Sequence, residues 1–234
     1  MRVLLSIYYW IAGFLIFFIF LISALIVSYL FPPEKYNAWL KAILRSIFKA
    51  INSPVVVEGA EFIEPDKSYL YMANHVSLFD IPLLGGFLPG FVRGVEAQKQ
   101  HSWPLYGWVM GRLGNIPIER KNIHKSITSI HRAVAKLKTG VSIIILPEGY
   151  RSMDGELLPF KKLPFYMAKQ MDAEIIPVGL SGLFRLKSKN TWIIQPTSLR
   201  MRLGKPIPVD RIASLSESDL RDVVREEVRI LLEG

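Results

Sequence analysis

The stretch "YLYMANHVSLFD" (residues 69–80) decides the fold, because an apolar, β-like run leads directly into a histidine and an aspartate five residues apart. At about 100° per residue, side chains five apart on a continuous α-helix point about 140° away from each other. His75 and Asp80 can cooperate only if the chain turns between them. The stretch therefore reads as a strand over 69–73, a loop over 74–79, and a helix opened by Asp80. An aspartate can cap at that position, and Pro82 is tolerated in the first turn.

Outward from this point, short apolar runs alternate with helix-like segments. The predicted strands are "PVVVEG" (54–59), "SYLYMAN" (68–74), "FVRGVEA" (91–97), "VSIIIL" (141–146), "AEIIPVGL" (173–180), "TWIIQP" (191–196) and "LRMRLGKPI" (199–207). The predicted helices are "DIPLLGGFL" (80–88), "PLYGWVMGRLG" (104–114), "KSITSIHRAVAKLKTG" (125–140) and "LPFYMAKQM" (163–171), with a closing helix over 216–233 begun by a Ser or Asp cap. Strands alternating with helices imply an α/β fold with a mostly parallel sheet covered by helices. In such a sheet, sites form at the carboxyl ends of strands, which is where "NHVSLFD" falls.

Half of the 234 residues are hydrophobic and the mean hydropathy is +0.28, high for a soluble globule. The excess is concentrated in residues 3–31, which carry no charged side chain; as a helix they would reach roughly 43 Å at 1.5 Å per residue. The run is too long for a secretory signal peptide, and no small-residue cleavage site precedes Pro32 and Pro33. After the prolines, Lys41, Arg45 and Lys49 form a basic stripe beside Trp39, Leu40, Ile43, Leu44, Ile47 and Phe48, the pattern of an interfacial helix. An amphipathic helix packed on the protein is the alternative. Residues 1–51 thus read as a two-helix membrane anchor and residues 52–234 as the α/β domain. Helix one either spans the bilayer or forms with helix two a hairpin in a single leaflet. The positive-inside rule puts residues 35–49, and with them the domain, on the cytoplasmic face of the membrane.

With no cysteine there is no disulfide framework, no Cys-zinc site and no thiol nucleophile, which suits a reducing compartment. A net charge of +9 favours partners that carry phosphate. Nucleic acid is the weaker choice, because the basic residues are spread along the chain and no binding module is recognisable. His124 and His131 lie seven apart on a predicted helix, without the companions a metal site requires.

Four segments at strand ends carry the unusual polar residues: "NHVSLFD" (74–80), "GNIPIER" (114–120), "LPEGYRS" (146–152) and "IIPVGL" (175–180). An imidazole held at one nitrogen by a carboxylate can take a proton from a hydroxyl with the other, the logic of a general base. No serine sits in a nucleophile elbow, so the attacking oxygen is expected from a substrate alcohol. Arg120 and Arg151, with the amides around Gly149, can cradle a phosphate, and Glu148 can accept a second hydroxyl or fix an arginine. Singly, each has a bland structural reading; the conjunction favours a site.

These blocks resemble, in order and approximate spacing, the N-H-x4-D, G-x-I-x-I-D-R, F-P-E-G-T-R-S and proline-containing blocks of the glycerolipid acyltransferases. The resemblance covers roughly residues 54–205 and looks closest to the bacterial 1-acyl-sn-glycerol-3-phosphate (lysophosphatidic acid) acyltransferases. It implies that His75 deprotonates the sn-2 hydroxyl of 1-acylglycerol 3-phosphate while Asp80 orients the ring. It also implies attack on the thioester of acyl-CoA or acyl-carrier protein to give phosphatidate, with no metal or other cofactor. On the same ground Arg120, Glu148, Gly149 and Arg151 bind the glycerol phosphate, Lys99 resembles a basic residue between the first two blocks, and Pro177 helps shape an acyl channel. Glu119, Leu146 and Tyr150 depart from the pattern, as does "FKKLPF" from the usual F-K-K-G-A-F, which bears on acceptor and chain-length selectivity. Another alcohol acceptor, or a non-enzymatic basic lipid binder with a merely structural dyad, are the competing readings.

Overall fold

The apolar N-terminal run forms one helix, α1 (Arg2–Leu30), in the computed structural model, which describes residues 1–119 and 123–233 apart from the side chains of residues 123, 124, 125 and 127. Phe31 leaves it in extended backbone, φ −138° and ψ 153°, because a residue before proline is pushed out of the α region. Pro33 then opens α2 (Pro33–Ala50), where its missing N–H has no partner to lose. The two helices pack against each other. There follow β1 (Val55–Glu58), β2 (Leu70–Ala73), α3 (Asp80–Phe87), β3 (Val92–Ala97), α4 (Tyr106–Leu113), β4 (Ile116–Ile118), α5 (Ile123–Leu137) and β5 (Ser142–Ile145). The chain closes with α6 (Leu163–Gln170), β6 (Ile175–Ser181), α7 (Leu183–Leu186), β7 (Leu199–Leu203), α8 (Val209–Ser214) and α9 (Glu217–Glu233). Ser216 caps α9 by accepting the Asp219 N–H at 3.1 Å.

Among the described residues the strands form one sheet in the order β1-β7-β6-β2-β5-β3-β4. From β6 to β4 all neighbours are parallel; β7 runs antiparallel to β6 and carries β1 parallel to itself. The sheet is thus mostly parallel, as expected. At its centre β2 is buried at every position, with Leu70 paired to Ile143 on one side and Ile175 on the other. The carboxyl ends of β2, β3 and β5 open on the same edge, and that edge carries the site.

Two apolar layers cover the sheet. Tyr36, Leu44, Phe48 and Ile51, in and just after α2, share one cluster with Tyr69, Tyr71 and Leu199. The opposite layer is built from Ile130 and Ala133 of α5, Phe165 and Ala168 of α6, and Leu220 and Val224 of α9. Burying a large apolar side chain contributes about 1.5–3 kcal/mol, so α2 is held as part of the core. Two of the three basic residues of the α2 stripe are bound into the protein, while Lys49 is exposed. Lys41 Nζ donates to the carbonyls of Leu88 and Gly90 at 2.5 and 2.6 Å, and Arg45 Nε to that of Gly86 at 2.7 Å. These carbonyls end α3, where cations complement unpaired acceptors and the helix dipole.

"TWIIQP" is not a strand. Its backbone is satisfied elsewhere: the Trp192 carbonyl accepts Trp10 Nε1–H at 2.7 Å, and Ile194 N–H donates to Ser6 Oγ at 3.1 Å. Its apolar run reflects a segment bonded to α1 through its backbone, with Ile194 buried. Conversely, β4 lies within "GNIPIER", which was not read as a strand; Pro117 is accommodated because β4 is an edge strand.

Candidate active site

The loop after β2 brings His75 and Asp80 together: His75 Nδ1 lies 2.6 Å from Asp80 Oδ2. The same oxygen accepts the N–H groups of Val76 at 2.8 Å and Ser77 at 2.9 Å, so Asp80, wholly buried, folds back into the loop instead of capping its own helix. An acceptor of this kind makes Nδ1 the donor and leaves Nε2 as the ring's remaining acceptor. Asn74 fixes the loop's start, accepting Leu180 N–H at 2.7 Å and donating to the Leu180 carbonyl at 3.1 Å. Ser77 Oγ donates to the Lys187 carbonyl at 2.7 Å and accepts Phe79 N–H at 3.3 Å, so this hydroxyl beside the dyad is engaged in holding the loop.

The loop after β5 clamps the His75 backbone on both sides. Glu148 Oε1 accepts His75 N–H at 2.5 Å, and Ser152 N–H donates to the His75 carbonyl at 2.9 Å. Glu148 Oε2 accepts Leu158 N–H at 3.0 Å, and the residue is 1% exposed. Burial pushes its carboxyl up to about 7, against the two backbone N–H groups, which favour the charged form. Glu148, which the resemblance sets against the glycerol phosphate, thus stands behind His75 and outside the cavity lining. Gly149, at φ +78°, makes the left-handed turn that passes the chain from Glu148 toward the cavity, and its N–H donates to the Leu146 carbonyl at 3.1 Å.

His75 lines a cavity of about 1110 Å³ together with Lys99, Gly149 and Arg151. Lys99 enters from a short 3₁₀ helix after β3, Gln98–Ser102. Arg120 lies outside the described residues, as does the side chain of His124. Pro177 is within β6, buried, and does not line the cavity.

Sequence reasoning missed several lining groups. Trp10, Phe14, Phe17 and Leu21 of α1 form an apolar wall, with no local signal to set them apart from the rest of an apolar helix. Lys161, Lys162 and Lys189 add cations at the same cavity. Glu96 forms part of the wall, accepting hydrogen bonds from Tyr106 at 3.1 Å and from the Asn115 amide; burial raises its carboxyl pKa. The lining includes apolar side chains from both faces of the sheet, Phe17 and Tyr106 on one and Ile145 and Met167 on the other, so the cavity passes over the strand ends.

The sequence model of the Acyltransferase family matches residues 54–181, over half the chain and all four sequence blocks. The chain belongs to this family. A 1-acyl-sn-glycerol-3-phosphate acyltransferase of Cocos nucifera is 34% identical over 168 residues, 71% of this chain and 54% of that protein. One of Saccharomyces cerevisiae is 30% identical over 167 residues, 69% of this chain and 54% of that protein. The chain spans about half the length of these curated relatives, and they do not single out a bacterial subgroup. The crystal structure of the 1-acyl-sn-glycerophosphate (LPA) acyltransferase PlsC from Thermotoga maritima superposes with a TM-score of 0.80 at 28% identity, covering 99% of this chain and 96% of that one.

Proposed function

We propose that this protein transfers an acyl chain from the thioester of acyl-CoA or acyl-carrier protein to the sn-2 hydroxyl of 1-acylglycerol 3-phosphate, forming phosphatidate. The observation that carries this reading is the His75–Asp80 pair, 2.6 Å apart, facing a large apolar cavity edged by cations. With Nδ1 held by Asp80, Nε2 takes the proton of the acceptor hydroxyl as its oxygen attacks the thioester carbonyl. The tetrahedral intermediate collapses, the C–S bond breaks, and the imidazolium returns the proton to the leaving thiolate. A covalent acyl-enzyme is not part of this scheme: the chain has no cysteine, and the hydroxyl of Ser77 is engaged with Lys187 and Phe79. Arg151, Lys99 and Arg120 bind the acceptor's phosphate, and Glu148 holds the His75 peptide in place.

Association with a membrane follows from α1. It is long and apolar enough to cross a bilayer, and Leu4, Ile11, Leu15, Phe18, Ile26 and Leu30 are exposed along it. Both of its ends are tied to the domain, through Ser6 and Trp10 at one and the Ser28 carbonyl, 3.0 Å from Arg112 Nη2, at the other. A helix spanning the bilayer would draw the domain in with it, which supports α1 lying in a single leaflet; the ground for putting the domain on the cytoplasmic face is the run of basic residues over 35–49. Drawing each lipid methylene into water costs about 0.8 kcal/mol, and a cavity walled by an immersed helix avoids that cost.

The test is thioester consumption by the 234-residue chain in detergent, with acyl-CoA and with acyl-carrier protein, beside His75→Ala. Phosphatidate made by wild type and lost in the variant supports the reading. Equal activity in both proteins would discard the dyad mechanism, and activity confined to another alcohol would replace the acceptor.

A further inference from the structure

The segment between α7 and β7, in place of the expected strand, is a strap that joins three parts of the site. Ser77 Oγ binds its Lys187 carbonyl at 2.7 Å, beside the dyad; Asn190 Nδ2 donates to the Met153 carbonyl at 2.7 Å, two residues past Arg151; and Trp10 of α1 donates to the Trp192 carbonyl at 2.7 Å. The strap carries two cations that lie in none of the four sequence blocks. Lys189 is exposed and lines the cavity with His75, Gly149 and Arg151. Lys187 is only 8% exposed; its Nζ donates to the Ser188 carbonyl at 2.5 Å and lies 5.9 Å from the centre of the Trp10 ring, which lines the same cavity.

Among the described residues, no carboxylate lies within ion-pair distance of Lys187, Lys189 or Arg151. Lys187 does not itself line the cavity; its ammonium is held by the Ser188 carbonyl near the Trp10 ring, with no acidic partner to balance its charge. Burial, and then the nearby Arg151 guanidinium, hold Lys187 below the ordinary lysine range, which places two like charges near one point. Like charges held together by the fold, beside a cavity and without an acid between them, form a receptor for a multiply charged anion.

We propose that Lys187 and Lys189 join Arg151 in binding the phosphate of the acceptor, so that the strap is a further element of the acceptor site. This rests on the lysophosphatidate reading above. A phosphate monoester offers three acceptor oxygens, enough for a guanidinium fork and two ammonium groups. Because Ser77 holds the Lys187 carbonyl, the backbone of the strap is tied to the loop that carries His75, and a phosphate bound there sets where the acceptor hydroxyl meets the base.

The experiment measures KM for 1-acylglycerol 3-phosphate in mixed micelles at saturating acyl thioester, using the 234-residue wild type, Lys187→Met, Lys189→Met and Lys187→Arg. Lys187→Met is expected to raise the acceptor KM about tenfold or more, the size of one lost charge-assisted hydrogen bond. Lys189→Met, at an exposed position the fold tolerates, should raise it less; Lys187→Arg should recover most of the loss, and the thioester KM should stay unchanged in all three. An unchanged acceptor KM in both methionine variants of an enzyme active on lysophosphatidate overturns this inference alone. A rise in thioester KM instead assigns the strap to the donor and also overturns it. Wild type that acylates only uncharged alcohols overturns the functional reading and this inference together.

Discussion

In the proposed mechanism His75 is the general base, and its removal should separate rate from folding. A general base supplies about 10²–10⁴-fold in rate, so His75→Ala should lower kcat at least about a hundredfold while circular dichroism stays unchanged. Arg151→Ala should instead raise the acceptor KM with a smaller effect on kcat, a split that steady-state kinetics resolves. Glu148 leads to a prediction about stability. Its carboxyl is raised from 4.5 to about 7 in the fold, so the folded state binds the proton more tightly than the unfolded chain. The resulting contribution is present in full below pH 4.5 and is lost as pH rises through 7, on the order of 3 kcal/mol at 1.36 kcal/mol per unit. Chemical denaturation of wild type across that range should show the decline, and Glu148→Gln should flatten it. The pairing of His75 with Asp80 was legible because it depends on five residues and one turn. The place of Glu148 was not, because its partners lie 73 and 10 residues away and a glutamate beside a glycine reads equally well as a substrate contact.

At the scale of elements, α2 shows that a helix with the pattern of a lipid surface can also be bound into the protein core. Lys41 and Arg45 hold the carbonyls that end α3, and α3 begins with Asp80. The pair Lys41→Ala and Arg45→Ala should therefore lower stability by about 1–3 kcal/mol in sum while leaving vesicle binding intact; vesicle binding that falls with melting temperature unchanged would return these residues to the lipid interface. Most strands and helices were legible from their periods, since alternation and 3.6-residue repeats are local properties. The segment after α7 shows the limit: a short apolar run does not say whether its backbone will pair with a strand or bond to a helix. β4 escaped notice for the opposite reason, having three residues and a proline at a sheet edge.

For the whole molecule, the two N-terminal helices and the sheet form one body. Deleting residues 1–50 should do more than release the protein from membranes: it removes Tyr36, Leu44, Ile47 and Phe48 from the core, so the truncated chain should aggregate or lose its cooperative thermal transition. A soluble, cooperatively folding truncation would show that the sheet face is stable uncovered. Treatment with a chelator should leave the acyl-transfer rate of the 234-residue chain unchanged, because the proposed proton transfer and phosphate binding use side chains alone. By itself the sequence determined the alternation of strands and helices, the apolar N-terminal run and the turn that joins His75 to Asp80, because each depends on residues close in the chain. Only the tertiary structure decided that α1 walls the cavity, that Glu148 stands behind the histidine, and that Lys189 shares the cavity lining with Arg151 while Lys187 lies close to that guanidinium. These depend on contacts such as that of Ser6 with Ile194, 188 residues apart, which the packing of whole layers brings together and no local pattern encodes.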